Sequence, residues 1–433
     1  MKTNPITLAA RAKGPFGLFL RARSIAGRYG LTSAKMDQAL SCYTEVLHRF
    51  DCGASFPITA VTLKRHSNTI AKYLDLNIEF AVHGYTHTNY GKLAPEAQLA
   101  HLQLAREIFT KVGITPMGFR SPYLSRDDNL YSAIEEAGFS YMSNQPFLWD
   151  ALENSTLDPS TSAGYERALA FYDPWRASER LSLPRQEGQL VEIPVSLPDD
   201  EIMIERLGGA NGLVKKTWLR ILSQTYQLGE LFTLQLHPER IAHCVEGLSA
   251  VLTEARELTP GVWIARLDEI AAWWKARAGA TIEVSEADDG ECRCTVSGPS
   301  GTTVLARAVE VYAPSLPWTN GYREVKATRF AFKSPLRPLI GLSPSTSIVL
   351  VSFLRQQGYI FETSQERERY TYYIDQADFN INQEHSVLAQ IEGSGCPLLR
   401  LGRWPNGAQS TLAITGDIDA LTLWDFGLRM VGK

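Results

Sequence analysis

Between Ser55 and about Ala278, short apolar runs alternate with stretches whose apolar residues return every three to four positions. That alternation is the signature of β/α units built around a mostly parallel sheet or barrel. Strands are expected over 56–61, 78–82, 117–120, 139–142, 191–195, 231–236 and 262–265. One intervening helix opens at Pro95, a residue tolerated at the first helical position, carries Leu99, Leu102, Ile108 and Phe109 on one stripe, and stops at Gly113. Another runs over 267–278 with Ile270, Trp273 and Trp274, and Gly279 closes it like a domain edge.

Beyond Gly279 the period changes to two. T-I-E-V-S-E, C-R-C-T-V-S and T-V-L-A-R-A-V-E-V alternate polar and apolar residues, with G-P-S-G supplying a turn. This predicts four segments: a main β/α part over 1–279, a small antiparallel β unit over 280–342, a small α/β segment over 343–410 with helices at 348–357 and 384–392, and 411–433. In the last, a strand at 411–415 precedes Leu421, Trp424 and Leu428 at helical spacing, so strand, acidic turn and helix add one more β/α unit.

Composition narrows the function classes. The net charge of -4 and the scattered basic residues give no field for a phosphate backbone, so no nucleic-acid partner is expected. Pro5, Arg11 and Lys13 interrupt the opening apolar residues, so neither a signal-peptide core nor a membrane span is read there, and a cytoplasmic protein is expected. The six cysteines lack disulfide-framework or zinc-pair spacing and read as isolated buried thiols.

Two distant strings carry metal-site chemistry: H-G-Y-T-H at His83 to His87, and T-G-D-I-D ending in Asp417 and Asp419. A metal hydrolase needs two or three neutral or anionic ligands, an open position for water, and a base that is not itself a ligand. Two histidines and two aspartates meet that need. His83 ends one expected strand, and one turn later His87 can face the same ion. R-S-P-Y, containing Arg120, Pro122 and Tyr123, follows a second strand, and L-Q-L-H ends a third in His237. Catalytic groups collect at the C-terminal ends of strands in such architectures.

Taken together, T-G-D-I-D, H-G-Y-T-H, R-S-P-Y and L-Q-L-H resemble the signatures of the polysaccharide deacetylase family, carbohydrate esterase family 4, over residues 54–278 and 411–430. The resemblance implies a distorted (β/α) barrel with an additional small β-rich/α+β module, and a metal-dependent deacetylase acting on the acetamide of an N-acetylated carbohydrate. It implies Asp417 as catalytic base, Asp419, His83 and His87 as ligands of one divalent ion (zinc, or cobalt or nickel), Arg120 as the group orienting the base, and His237 as catalytic acid. The Tyr123 backbone N–H would stabilise the oxyanion, and Pro122, Tyr123 and Trp149 would line the substrate. In the family the aspartates come first and the histidines later. The reversed order here implies a circularly permuted chain, whose strand at 411–415 must lie between those at 56–61 and 262–265.

Two features depart from the family. Ile418 separates aspartates that are more often adjacent, and no acid-tuning aspartate is obvious, since Asp199 and Asp200 in P-V-S-L-P-D-D read as exposed turn carboxylates. Asp425 reads as a solvated helix residue, Trp149, Trp175, Trp318 and Trp404 as core before sugar platforms, and His48, His66, His101, His243 and His385 carry no motif. An amidase opening a non-sugar cyclic amide and a non-catalytic carbohydrate-binding protein are the competing readings. The oligomeric state is not legible.

Overall fold

The computed structural model describes residues 25–152, 157–209, 212–286 and 291–430. Pro5, Arg11 and Lys13 lie outside the described residues, as do the last three of the expected 411–433 unit. Helix α1 (Ala34–Arg49), which the hydrophobic pattern did not announce, lays Met36, Leu40, Tyr43 and Leu47 on the core at three- and four-residue spacing. Next come strands β1 (Ala54–Ile58) and β2 (Ile78–Val82), then helix α2 (Pro95–Lys111), with Pro95 at its start as expected. Strands β3 (Gly118–Phe119), β4 (Tyr141–Met142), β5 (Pro146–Leu148), β6 (Leu190–Glu192), β7 (Val195–Leu197), β8 (Leu231–Leu236) and β9 (Val262–Ile264) follow. Helix α3 (Leu267–Arg277) buries Ile270, Trp273 and Trp274. Near the C-terminus stand β10 (Ser410–Gly416) and helix α4 (Leu423–Met430).

These strands form one curled sheet in the order β5, β7, β8, β10, β1, β2, β3, β4, β6, with Trp175–Arg176 at one edge and Arg185–Glu187 at the other. Every described pairing in it is parallel except that of Arg185–Glu187 with β6. Parallel sheets are covered on both faces, and accordingly all residues of β1, β2, β8 and β10 are buried. The fold class is the expected one: a distorted, part-closed β/α barrel with additional β sheets.

β10 occupies the middle of this sheet. It pairs in parallel with β8 from Leu231↔Thr411 to Leu236↔Gly416. Its other edge is shared: β9 covers Ser410 to Leu412, and β1 meets Thr415, with a further bridge between Ile58 and Ile418. The strand thus does not lie between β1 and β9 as expected: both share one edge of β10, β9 being too short to cover more than its first half, and β8 takes the other edge. Gly416 has a packing reason, since a Cβ there would stand 2.8 Å from the Phe56 ring and 3.1 Å from Tyr43.

Two expected strands are redrawn. The 56–61 strand ends at Ile58 because a short helix starts at Ala60. The single strand at 191–195 is two, β6 pairing with β4 and β7 with β8, and Pro194 between them has no N–H to continue a ladder.

Residues 280–410 are interleaved. T-I-E-V-S-E and C-R-C-T-V-S pair antiparallel, and Leu398–Leu401 returns to pair with Val304–Arg307 in a second antiparallel sheet. T-V-L-A-R-A-V-E-V is split between two sheets, as Val304–Arg307 and Glu310–Tyr312, at Ala308, whose φ is 50°. Arg337–Leu342 is the central strand of a parallel three-stranded sheet beside the expected helices Ile348–Gln356 and Glu384–Gly393. An apolar cluster containing Trp273, Trp274, Leu350, Leu354, Trp404 and Ala413 joins this region to the barrel. All six cysteines are free. No helix among the described residues is long and apolar enough to cross a membrane.

Candidate metal centre with a flanking acid and base

His83 follows β2 directly, and its Nδ1–H donates to the Arg120 carbonyl at 2.8 Å, which turns Nε2 inward. Gly84 then takes φ 84°, where a Cβ would come within 2.9 Å of both the Tyr90 ring and the Thr86 carbonyl. This tight turn brings His87 back toward His83, their rings 5.2 Å apart. Nε2 of His83 and Nε2 of His87 lie 3.3 and 3.2 Å from the same oxygen, Oδ1 of Asp419. All three donors fall within 4.8 Å of one another and all three residues are buried.

Buried polar atoms without hydrogen bonds are costly and rare. Asp419 Oδ1 is one of them despite the two nearby imidazoles. With bonds of ~2.0–2.2 Å, donors sharing an ion stand roughly 3–3.5 Å apart. The spacing and the two-nitrogen, one-oxygen donor set therefore fit a divalent ion. Burial drives His87 down to about 4, so its imidazole is neutral and keeps a lone pair for a metal. The other oxygen of Asp419 is held by Arg429 Nη1 at 2.6 Å.

Asp417 stands two residues earlier, on the chain just leaving β10, with its N–H bonded to the Leu236 carbonyl. Arg120, fully buried, donates through Nη1 to Asp417 Oδ1 at 2.9 Å and to Thr415 Oγ1 at 2.7 Å. Its Nε and Nη2 are fixed on the Ser143 carbonyl and hydroxyl. Gln235 Nε2 donates to Asp417 Oδ2 at 3.1 Å. A carboxylate has about four lone-pair directions, so Asp417 can still accept a proton while staying oriented.

His237 ends β8 and is paired with Asp200, correcting the expectation that Asp199 and Asp200 are exposed turn carboxylates. Both are buried, at 1% and 0% exposure. Asp200 accepts from His237 Nδ1 at 2.6 Å and from the His237 backbone N–H at 2.7 Å. Burial alone would lower this imidazole, but the Asp200 charge outweighs it and raises His237 to about 10. The pair keeps His237 protonated, with Nε2–H available as a donor.

Tyr123 sits in a left-handed turn (φ 63°), and its ring meets His87 edge-on with centroids 4.6 Å apart. Pro122 is buried beside it. Trp149 lies in the main apolar core, 3% exposed, with its indole N–H donating to Ser196 Oγ at 3.3 Å. Its contacts are those of a core residue. Asp425 is also corrected: far from solvated, it is 3% exposed, caps the start of α4 through Thr422, and accepts from His66 Nε2 at 2.7 Å. Asp200, Gln235, Ser143 and Arg429 were missed. The sequence carries no signal for Gln235, Ser143 or Arg429, and Asp200 stands 37 positions from the His237 it pairs with.

Residues 36–142 match the family model described as polysaccharide deacetylase. A search of curated proteins finds no match. Among solved structures, the chain is similar to a Mycobacterium smegmatis protein provisionally classed as a polysaccharide deacetylase (20% identity, 54% of this chain, 76% of that one, TM-score 0.39). It is similar also to PuuE allantoinase (18%, 55% and 72%, TM-score 0.41) and to a Bacillus anthracis pseudoenzyme of carbohydrate esterase family 4 (14%, 54% and 61%, TM-score 0.32).

Proposed function

We propose that the chain is a metal-dependent deacetylase that hydrolyses the acetamide of an N-acetylated sugar or polysaccharide. The observation that carries this reading is the convergence of His83, His87 and Asp419 on one point, flanked by an arginine-held Asp417 and an aspartate-held His237. His83, His87 and Asp419 would hold a divalent ion, with zinc suiting this donor set and cobalt or nickel also compatible, and such an ion would supply Lewis-acid chemistry for water activation and acyl polarisation. Asp417, held in place by Arg120 and Gln235, is the base that takes the proton of the attacking water. In this reading the Tyr123 backbone N–H stabilises the developing oxyanion. His237 delivers the proton without which the leaving nitrogen would depart as an amide anion, and Asp200 stabilises its protonated form. Pro122 and Tyr123 border the acyl group.

The position of β10 between β8 and β1 supports a further reading, that the motif order arose by circular permutation. The unit over 411–430 then stands where the first β/α unit of the barrel would otherwise be. The functional reading is tested by measuring zinc content and acetate release from N-acetylated oligosaccharides. Metal with acetate release is expected. Metal without acetate release points to the amidase, and neither to a sugar-binding protein.

A further inference from the structure

We propose that Arg429 is a positioning residue that restricts Asp419 to one-oxygen metal coordination and so sets the metal preference of the centre. The inference rests on the reading of His83, His87 and Asp419 as ligands. Asp417 and Asp419 each have an arginine of their own, but the two pairs differ in kind. Arg120, directly after β3, holds Asp417 and is locked by Ser143 and Thr415. Arg429 comes from α4, ten residues beyond Asp419, and takes only Oδ2, leaving Oδ1 alone before the two imidazoles.

Arg429 is itself held. Its guanidinium bonds the Tyr123 side chain and lies 5.8 Å from the Phe426 ring, one helical turn earlier on α4. Phe426 in turn packs on Tyr29, with ring centroids 5.5 Å apart. The same cation thus fixes the metal-ligand carboxylate and the turn whose ring contacts His87. A carboxylate free to rotate can offer two oxygens to a hard, oxygen-preferring ion such as Mn²⁺, whereas one clamped at Oδ2 offers a single oxygen beside two nitrogens, a set suited to Zn²⁺. Oriented outer partners of this kind alter metal affinity by roughly 10–100-fold.

The test uses the full-length protein and its Arg429→Met, Arg429→Lys and Arg429→Gln variants. Zn²⁺ and Mn²⁺ dissociation constants are measured by chelator competition, and the visible spectrum of the Co²⁺ form is recorded. In the Met variant the preference for Zn²⁺ over Mn²⁺ should fall roughly tenfold, with the Co²⁺ bands weakening toward higher coordination. Lys, still a cation on Oδ2, should restore the native ratio. Gln, which keeps one donor, should fall between them and serves if the Met chain does not fold. A ratio within about threefold of native in the Met or Gln variant, with an unchanged Co²⁺ spectrum, overturns the proposal, as does a Lys variant that shifts as far as Met. A native protein that binds neither Zn²⁺ nor Mn²⁺ refutes the ligand assignment itself, and so separates that failure from a failure of Arg429.

Discussion

Asp417 and Asp419 are two residues apart on one turn, yet their surroundings assign them different chemistry. Asp417 has both oxygens oriented by Arg120 and Gln235, while Asp419 keeps an unbonded Oδ1 before two imidazoles. Asp417→Asn preserves shape but cannot accept a proton, so turnover should fall about 10²–10⁴-fold with zinc affinity nearly unchanged. Asp419→Asn should instead weaken zinc by roughly 10–100-fold. Kinetics paired with metal titration separates the two, and the reverse pattern would exchange the roles. At His237 the expected effect is a pH shift. Its folded pKa is raised above the free value near 6.5 by Asp200, so the stabilisation is fully present below about 6.5 and is lost as pH rises toward about 10. Asp200→Asn removes that charge, and the alkaline limb of kcat/KM should move toward neutrality. An unmoved limb would mean that His237 is not the acid. The sequence displayed His83, His87, Arg120, His237 and both aspartates because each lies at or within a few residues of the end of a recognisable strand. It hid Asp200 because a carboxylate pair after proline looks solvated until the chain buries it against His237.

Elements were legible in proportion to their length and periodicity. β2 and β8 coincide with their expected bounds, and α2 and α3 begin at the expected residues. Short strands at proline-rich joints were blurred, as at Pro194, because periodicity over three residues does not tell one strand from two. The stripe of α1 mixes Tyr43 and Thr44 with aliphatics, which blurs its period, and its buried face packs on the helix Ile241–Glu257 and, through Tyr43, on Phe56 and Gly416. The junction of β6 with the following chain also contains a titrating device. Glu192 is buried at the end of β6, accepts the Asn144 and Gln145 N–H groups on Oε1, and leaves Oε2 unbonded. Burial raises its carboxyl to about 7 against an ordinary 4.5. The folded state therefore binds the proton more tightly than the unfolded chain. Stability from this group is greatest below about 4.5 and is lost as pH rises through about 7, by up to ~3 kcal/mol at 1.36 kcal/mol per pKa unit. Glu192→Gln, which presents the same acceptor without a charge, should flatten that part of the profile. Denaturation at pH 5 and pH 8 measures it, and equal losses in both chains would contradict the assignment.

The whole molecule depends on β10. Its seven residues are buried, and its two edges are closed by β8 on one side and by β9 and β1 on the other. Removing residues 411–433 would open a strand-wide gap in the centre of the sheet and delete Asp417 and Asp419 together. Such a truncated chain should lose zinc binding and cooperative unfolding alike, whereas removal of a peripheral tail would cost neither. A chain rearranged rather than shortened makes the sharper test. Gly30 bridges to Thr422, the Leu423 N–H bonds the Gly30 carbonyl, and Tyr29 packs on Phe426, so α4 already lies against the segment that leads into α1. Placing residues 408–430 ahead of residue 25 through a flexible linker of about ten residues, and ending the chain at residue 407, cuts the described residues only in the loop before β10 and joins two segments that already pack together. Every strand pair and every ligand is retained, and the aspartates now precede the histidines. This chain should unfold in one transition and bind zinc within about tenfold of the native affinity, since the contacts and not the chain order define the centre. A rearranged protein that fails to fold, beside a native chain that does, would mean that residues 280–410 deliver β10 to its place rather than simply precede it.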